Sequence, residues 1–175
     1  ELRTELRSQT SRPVALQDAI TEALSRSHLA VSHPQGDAPE GRRAIQVNLE
    51  LPPAPLRVLA GPGLTGVFWN LFDNAAKAMP QGGVLTIDFL TPAPRELRIR
   101  FADSGRGMSE AERAGLFVPF QSGFEAGWGL GMALVRRIVE DYEGRIEVNS
   151  TPGRGTVITL VFPLRGGPAR EAASS

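Results

Sequence analysis

The chain has 175 residues, with 19 lysines and arginines balancing 19 aspartates and glutamates. This balance argues against nucleic acid or an anionic membrane surface as a primary partner, because either would normally require a basic patch. Cysteine is absent, which excludes disulfides, thiol nucleophiles and cysteine-bound metals. The longest apolar run, residues 157 to 164, is far shorter than the roughly 20 residues of a spanning helix, so neither a membrane span nor a signal peptide is predicted.

Residues 13 to 164 are predicted to form one domain. A helix is predicted over residues 14 to 24, with Pro13 in its first turn. Apolar residues then alternate with polar ones from Ile45 to Leu51, which is the period-2 pattern of a strand with one buried face. The same alternation predicts four further strands, at residues 85 to 89, 97 to 101, 146 to 148 and 158 to 162.

Two longer helices interrupt these strands. The first, over residues 63 to 79, has an apolar stripe from Leu64 to Ala75 at helical spacing. The second, over residues 130 to 142, has a stripe made of Leu130, Leu134, Val135, Ile138 and Val139. Helices with one apolar stripe and strands with one apolar face predict an α/β two-layer sandwich.

Asn70, Asn74 and Lys77 share one edge of the first long helix, beside its apolar stripe. A solvated helix flank is one interpretation of this pattern. The functional interpretation is a pair of oxygen ligands for Mg²⁺ with a cation for phosphate, because nucleotide-bound Mg²⁺ needs only one or two protein oxygens.

The segment FADSGRGMS, residues 101 to 109, directly follows a predicted strand. Asp103 lies at the strand end, and Gly105 and Gly107 let the backbone turn without a Cβ penalty. Taken alone, the pattern is typical of an ordinary turn. At the mouth of an apolar pocket, the Asp103 carboxylate could instead accept a hydrogen bond from an adenine amino group.

Gly127, Gly129 and Gly131 precede or begin the second long helix. A glycine inside a helix costs roughly 1 kcal/mol against alanine, and close approach of backbone N–H groups to phosphate would justify that cost. The segment PGRGT, which ends at Thr156, joins two predicted strands and is typical of a hairpin turn. The Thr156 hydroxyl could also point into the pocket.

The order of these motifs resembles a known family. The chain contains, in this order, N-x-x-x-N-x-x-K, D-x-G-x-G, L-F-x-P-F at residues 116 to 120, G-x-G-x-G and G-x-G-T. These five motifs resemble the N, G1, F, G2 and G3 boxes of the catalytic ATP-binding domain of bacterial sensor histidine kinases. The resemblance covers residues 14 to 164 and implies the Bergerat fold of gyrase, Hsp90 and MutL-type ATPases, a mixed, mostly antiparallel sheet with helices on one face. Residues 119 to 148 look most similar to the nitrogen-regulation and pilus-type sensor kinases.

The resemblance implies ATP and Mg²⁺ as cofactors and a role for each box. Asn74 would be the principal Mg²⁺ ligand with Asn70 beside it, and Lys77 would contact the phosphates; these three are the implied catalytic residues. Asp103 would bind the adenine amino group. The other implied cofactor-binding or lid positions are Gly105, Gly107, Met108, Phe117, Phe120, Gly127, Gly129, Leu130, Gly131 and Thr156. The chain departs from the family pattern at Ala78 and Trp128, where an aromatic residue and a threonine or serine are usual.

The implied function is transfer of the γ-phosphoryl group of ATP to a histidine on a separate dimerisation domain. Asn70 stands where ATPase relatives have a glutamate that activates water, and a neutral amide cannot be that base, so hydrolysis should be slow. His28 and His33 are followed by Leu29 and Pro34 rather than by the acid that follows the family's phosphoacceptor histidine. The phosphoacceptor is therefore expected outside this chain.

Two alternatives remain: a regulatory module that binds nucleotide without phosphotransfer, and a serine kinase of the anti-sigma-factor type. The expected partners are the dimerisation and histidine-phosphotransfer domain of the same kinase and a cognate response regulator, with no nucleic acid and no direct membrane contact. The expected location is cytoplasmic. Residues 1 to 12 are interpreted as the remnant of the preceding dimerisation helix or a linker, and residues 165 to 175 as a disordered tail.

Overall fold

The structure, a computed structural model, describes residues 12–27, 45–52, 57–60, 63–120 and 130–164. Its elements in chain order are β1 (Arg12–Ala15), α1 (Leu16–Arg26), β2 (Ile45–Glu50), β3 (Arg57–Ala60), α2 (Gly63–Ala78), β4 (Gly83–Ala93), β5 (Glu96–Asp103), α3 (Glu110–Gly115), α4 (Gly131–Asp141), β6 (Arg145–Thr151) and β7 (Gly155–Pro163). The predicted tail, both histidines and the stretch from Gly127 to Gly129 lie outside the described residues.

The main sheet has five strands in the order β2-β4-β5-β7-β6. β2 pairs with β4 in parallel, whereas the other three pairings are antiparallel. β1 and β3 form a separate antiparallel pair. The predicted mixed, mostly antiparallel sheet is therefore confirmed.

One face of the sheet forms the core with the helices. In successive cross-strand rows this face presents Leu97 with Phe162, Ile99 with Leu160, and Phe101 with Ile158, all nearly inaccessible to solvent. The Phe101 ring lies 5.8 Å from Phe68 and 5.9 Å from Phe72, both on α2. These ring contacts fix α2 across the end of β5, where the core gives way to the candidate site.

The opposite face of the sheet is charged. Arg100 on β5 donates two hydrogen bonds to Oδ2 of its cross-strand partner Asp88. Nearby, the Arg98 guanidinium pairs with Glu96 and with Glu147. Because side chains alternate between faces, β4, β5 and β6 carry apolar residues toward the helices and these ion pairs away from them.

α2 and α4 lie side by side and run antiparallel. A Cβ atom built on Gly63, at the start of α2, would lie 3.4 Å from Cγ2 of Ile138 near the end of α4. In the middle of α2, Asn70 lies against Gly131, the first residue of α4. This packing brings the N-terminus of α4 to the polar edge of α2. No helix among the described residues combines the length and apolarity needed to cross a bilayer.

Two predictions about the helices are wrong in detail. The first helix begins at Leu16 rather than Val14, because Pro13 and Val14 are in β1 and pair with Leu59 and Val58 of β3. Strands as short as β1 and β3 carry too few residues for their alternation to be recognised.

The apolar stripe of the last helix is also shifted. Its buried residues are Met132, Val135 and Val139, whereas Leu130 and Leu134 are 44% and 48% exposed. The side of α4 that carries Gly131 packs against α2, and with this side buried Leu130 and Leu134 face the solvent.

Candidate functional site

A polar row closes the apolar face of the sheet. Asp103 pairs across the strands with Thr156, and Thr156 pairs with Ser150. Each of these polar residues lies two positions along its strand from an inward-facing apolar residue. The apolar residues are Phe101 for Asp103, Ile158 for Thr156 and Val148 for Ser150. The pleat therefore directs all three polar side chains to the face that the helices cover.

The Asp103 carboxylate is held from one side. Its Oδ1 accepts hydrogen bonds from the backbone N–H of Gly105, at 2.8 Å, and of Thr156, at 3.3 Å. Burial raises the pKa of Asp103 above its usual range, and these two hydrogen bonds act in the opposite direction. Both bonds go to Oδ1, so Oδ2 accepts no hydrogen bond within the described part of the chain and can accept one from a ligand.

The glycine turn after Asp103 is clamped between two elements. The backbone N–H of Arg106 donates to the carbonyl of Ala78, at the end of α2, and the carbonyl of Arg106 accepts from Gly153 N–H in the β6–β7 hairpin. Gly107 has a φ of +66°, and a Cβ atom there would overlap the Thr151 carbonyl. The predicted turn is therefore present, and it packs so closely on its neighbours that Gly107 has no room for a side chain.

Ser150 is a site residue that our sequence analysis missed. Its Oγ accepts a hydrogen bond from Met108 N–H at 2.8 Å and lies 2.9 Å from the Thr156 hydroxyl oxygen. The signal that could have found it is the alternation of β6, in which Ile146 and Val148 face inward and Ser150 is the next inward position.

The polar edge of α2 faces the start of α4. The Asn70 side chain donates from Nδ2 to the Gly66 carbonyl at 2.8 Å, and a Cβ atom on Gly131 would lie 2.5 Å from its Oδ1. Asn74 follows one turn later and is half-buried. The Lys77 ammonium pairs with Asp73 at 2.8 Å. The structure therefore brings Asn70, Asn74 and Gly131 to one edge, with Lys77 at its solvent side.

The N-terminus of α4 has the features of a phosphate site. Leu130 occupies the N-cap position and makes no side-chain capping bond. The first N–H groups of a helix lack intrahelical acceptors and carry the positive end of the helix dipole. An anion that reaches the start of α4 would meet these groups beside Oδ1 of Asn70, which lies against Gly131.

The side chains on this edge fit nucleotide-bound Mg²⁺. Asn70 and Asn74 supply neutral amide oxygens, and Asn70 directs its oxygen toward the helix N-terminus because its nitrogen is bound to Gly66. No cluster of three histidine or acidic side chains able to hold a metal is found within the described ranges. Amide oxygens that share Mg²⁺ with phosphates do not require such a cluster.

The segment after Met108 begins with a short helix, α3, capped by Ser109. Ser109 Oγ accepts from Glu112 N–H, and the Glu112 carboxylate accepts from Ser109 N–H at 2.8 Å, so the capping box is complete. Arg106, in the glycine turn, pairs with Glu112 at 2.7 Å. The Ser109 backbone bond, followed by the Arg106 bond, lowers the pKa of Glu112 to about 2.

The two phenylalanines of the F box differ in environment. Phe117 packs against the core, and the Arg136 guanidinium of α4 lies 5.5 Å from its ring centroid. Phe120 is 74% exposed and has a φ of +64°, which is strained for a bulky residue. Of these two phenylalanines, therefore, Phe117 anchors the segment to the core and Phe120 does not.

The comparisons with known proteins agree with this geometry. Residues 60–166 match the family of histidine kinase-, DNA gyrase B-, and HSP90-like ATPases, and the described fold is the one expected for that family. The chain belongs to this family.

Its relatives are histidine kinases. The chain is 36% identical over 125 residues to the sensor histidine kinase ZraS of Klebsiella oxytoca, an alignment that covers 71% of this chain and 27% of the relative. The structure resembles a mycobacterial sensor histidine kinase, MprB, with a TM-score of 0.68 and 25% identity over 89% of this chain and 98% of that chain. It shares the fold of the catalytic domain of histidine kinase ThkA, with a TM-score of 0.69 and 22% identity over 87% of this chain and 95% of that chain. The chain spans about a quarter of the length of the first curated relatives it matches.

The lowered pKa of Glu112 predicts a pH-dependent contribution to stability. A carboxylate whose pKa is depressed in the folded state stabilises the protein above its unfolded pKa, and this contribution is lost as the pH falls toward the folded value of about 2. Glu112→Gln should therefore lower the free energy of unfolding near neutral pH, and the difference from wild type should shrink steadily below about pH 4.5.

Urea denaturation at several pH values measures this difference. Glu110→Gln is the matched control, since it makes the same change in the same exposed turn of α3 outside the capping box. A difference between Glu112→Gln and wild type that stays constant across the acid range would contradict the prediction.

Proposed function

We propose that the chain is the catalytic part of a sensor histidine kinase, which binds Mg·ATP and transfers the γ-phosphoryl group to a histidine of a separate dimerisation domain. One observation carries the proposal: α2 contacts the turn after Asp103 through the Ala78 carbonyl at its end, and it contacts Gly131, at the start of α4, through Asn70 in its middle. The family match shows an ATP-binding domain of histidine kinase type. The residue roles, the metal and the phosphotransfer are our proposal.

The adenine would lie at the polar row of the sheet. Oδ2 of Asp103 accepts from the exocyclic amine, and Thr156 lies beside it on the neighbouring strand. Gly107 and Gly105 let the backbone of the glycine turn approach the base. Ala78 supplies only a methyl group near this turn, so any stacking on the base must come from another residue.

The phosphates would lie near the middle of α2, beside Asn70. Asn70 and Ala78 are eight positions apart, or about 12 Å along the helix axis. A nucleotide extended along this edge brings its phosphates to the N–H groups that begin α4, and Leu130 and Gly131 present that backbone. Gly127 and Gly129 are proposed to extend the same phosphate contact, and Phe117 to anchor the lid.

Asn70 and Asn74 would hold Mg²⁺ on the phosphates, and Lys77 would add a positive charge at the rim. When bound, Mg²⁺ supplies charge neutralisation for the transferred phosphoryl group. Asn70 has no proton-accepting role near neutral pH, so the site cannot activate water efficiently. What the chain contributes is orientation of the phosphates for attack by an external nucleophile.

The proposed partners follow from this chemistry. The nucleophile would be a histidine of the dimerisation domain of the same kinase, and the phosphoryl group would then pass to a response regulator. The resemblance of residues 119 to 148 supports a kinase of the nitrogen-regulation or pilus-type subgroup, and we propose that it works in the cytoplasm. The domain is proposed to span residues 13 to 164, with its first strand beginning at Arg12.

The adenine assignment predicts a specificity. Asp103→Asn should weaken ATP binding at least about tenfold, or about 1.4 kcal/mol, because an amide presents donors as well as an acceptor to the amine. Wild type should prefer ATP to GTP, whose carbonyl oxygen would oppose the carboxylate. Competition against a fluorescent ATP analogue measures both affinities. Asp18→Asn on α1 is the matched control, and equal ATP and GTP affinity in wild type would show that Asp103 is misassigned.

The metal assignment predicts a Mg²⁺-dependent defect. Asn74→Ala should weaken ATP binding at least about tenfold in Mg²⁺, because it removes an oxygen ligand, and much less in excess EDTA. Calorimetric titration under both conditions measures the two effects. Asn149→Ala, on the exposed face of β6, is the control. A defect of the same size with and without Mg²⁺ would mean that Asn74 does not bind the metal.

If this chain binds ATP and a separate domain carries the phosphoacceptor histidine, the activity of the isolated chain can be predicted. With Mg·[γ-³²P]ATP the chain should show little hydrolysis and no self-labelling, yet it should label a histidine when the cognate dimerisation domain is added. Acid-sensitive label on that domain, lost in Asn74→Ala, is the expected result. Rapid hydrolysis by the chain alone would favour an ATPase, and label on a serine of an added partner would favour a serine kinase.

A further inference from the structure

Ser150 has all of its hydrogen-bonding capacity occupied by its own protein. Its Oγ accepts from Met108 N–H at 2.8 Å, lies 3.2 Å from the Gly155 carbonyl and lies 2.9 Å from Thr156 Oγ1. A serine hydroxyl has one proton and two lone pairs. These three neighbours use all of them, so Ser150 can act on a ligand only through another residue.

The proton count decides the direction of the bond between the two hydroxyls. Met108 N–H takes one lone pair of Ser150, and the Gly155 carbonyl can only accept, so it takes the Ser150 proton. The remaining lone pair of Ser150 must then accept from Thr156. The opposite direction would leave the Gly155 contact unbonded, so only this arrangement satisfies all three contacts.

Thr156 is thereby left as an acceptor toward the pocket. Its proton points back to Ser150, while its oxygen lone pairs face away from that bond. Thr156 lies beside Asp103 in the same row, and its own N–H donates to Oδ1 of that residue. The pocket wall therefore presents two neighbouring acceptors, which suit an amino group or a water that donates two hydrogens and repel a carbonyl oxygen.

We propose that Ser150 is a positioning residue for base selection, because it orients the Thr156 hydroxyl as an acceptor and so strengthens the preference for an amino-bearing purine over an oxo-bearing one. The inference rests on the proposed adenine site and adds a residue to it. Ser150 also accepts a hydrogen bond from Met108 N–H, and this bond attaches the glycine turn to β6.

Ser150→Ala removes the inward acceptor and frees the Thr156 hydroxyl to rotate and donate into the pocket. We expect the ratio of ATP to GTP affinity to fall about tenfold, with a smaller loss of ATP affinity itself. Ser150→Thr, which keeps the hydroxyl, should restore the ratio. Competition against a fluorescent ATP analogue, with ATP and GTP as the competing probes on the full chain, measures these values.

Two further variants separate positioning from general damage. Ser104→Ala is the matched control, because the Ser104 hydroxyl also accepts a backbone hydrogen bond at the same end of the sheet, from Val84 N–H at 2.9 Å, but makes no contact with Thr156. Its ratio should equal that of wild type. In a Thr156→Val background, Ser150→Ala should no longer change the ratio, since the group through which it acts is gone.

The outcomes distinguish this inference from the proposed function. If wild type prefers ATP and Ser150→Ala keeps the same ratio, or if Ser150→Ala still changes the ratio in Thr156→Val, the role of Ser150 is wrong. If wild type binds ATP and GTP equally, the adenine site itself is wrong. Should Ser150→Ala fail to fold, Ser150→Cys keeps the side-chain size with a weakly bonding thiol and must lower the ratio in the same way.

Discussion

The pleat of the sheet is the constraint on which the site depends. It turns every second residue of β5 and β7 toward the helices, and the α2 rings of Phe68 and Phe72 fix Phe101 at the last apolar position of β5. The next inward residue of β5 is Asp103, directly across from Thr156. A carboxylate at this boundary is desolvated by the core and yet satisfied on one oxygen by backbone N–H groups. A site for a partly apolar, partly polar ligand therefore lies where the core ends.

A second constraint joins the two ends of this site. The glycine turn bonds to the last turn of α2 through the Ala78 carbonyl and to the β6–β7 hairpin through Gly153 N–H. α2 then carries the connection to Asn70, which packs against the first residue of α4. Side chains larger than hydrogen at Gly107 or Gly131 would collide with the Thr151 carbonyl or the Asn70 amide. Close backbone approach therefore sets the distance between the proposed base pocket and the proposed phosphate site.

The segment that follows the turn is connected to it by charge. Arg106 lies within the turn, and its pairing with Glu112 links the turn to the capping box that begins α3. Further along, Phe117 lies under the guanidinium of Arg136, which belongs to α4, the helix whose N-terminus is the proposed phosphate site. Both attachments of this segment thus lead to elements of the proposed nucleotide site. Phe120, the last described residue of this segment, is exposed and has a strained backbone conformation.

The sequence by itself determined the sheet class, both long helices and the order of the boxes, because strand alternation, the stripe of α2 and the glycine positions are local properties. It also placed Asp103 correctly at the end of its strand. It did not reveal β1 and β3, which pair with each other and place Pro13 and Val14 in a strand rather than in the first helix. Nor could it orient α4, since Leu130 and Leu134 satisfy the same periodicity as Met132 until contact with α2 decides which face is buried. Ser150 is the clearest case. The alternation of β6 indicates that its side chain faces inward, but its proposed role depends on its hydrogen bonds with Met108, Gly155 and Thr156. Only the register of β6 on β7 and the fold of the glycine turn bring these three residues to the Ser150 hydroxyl.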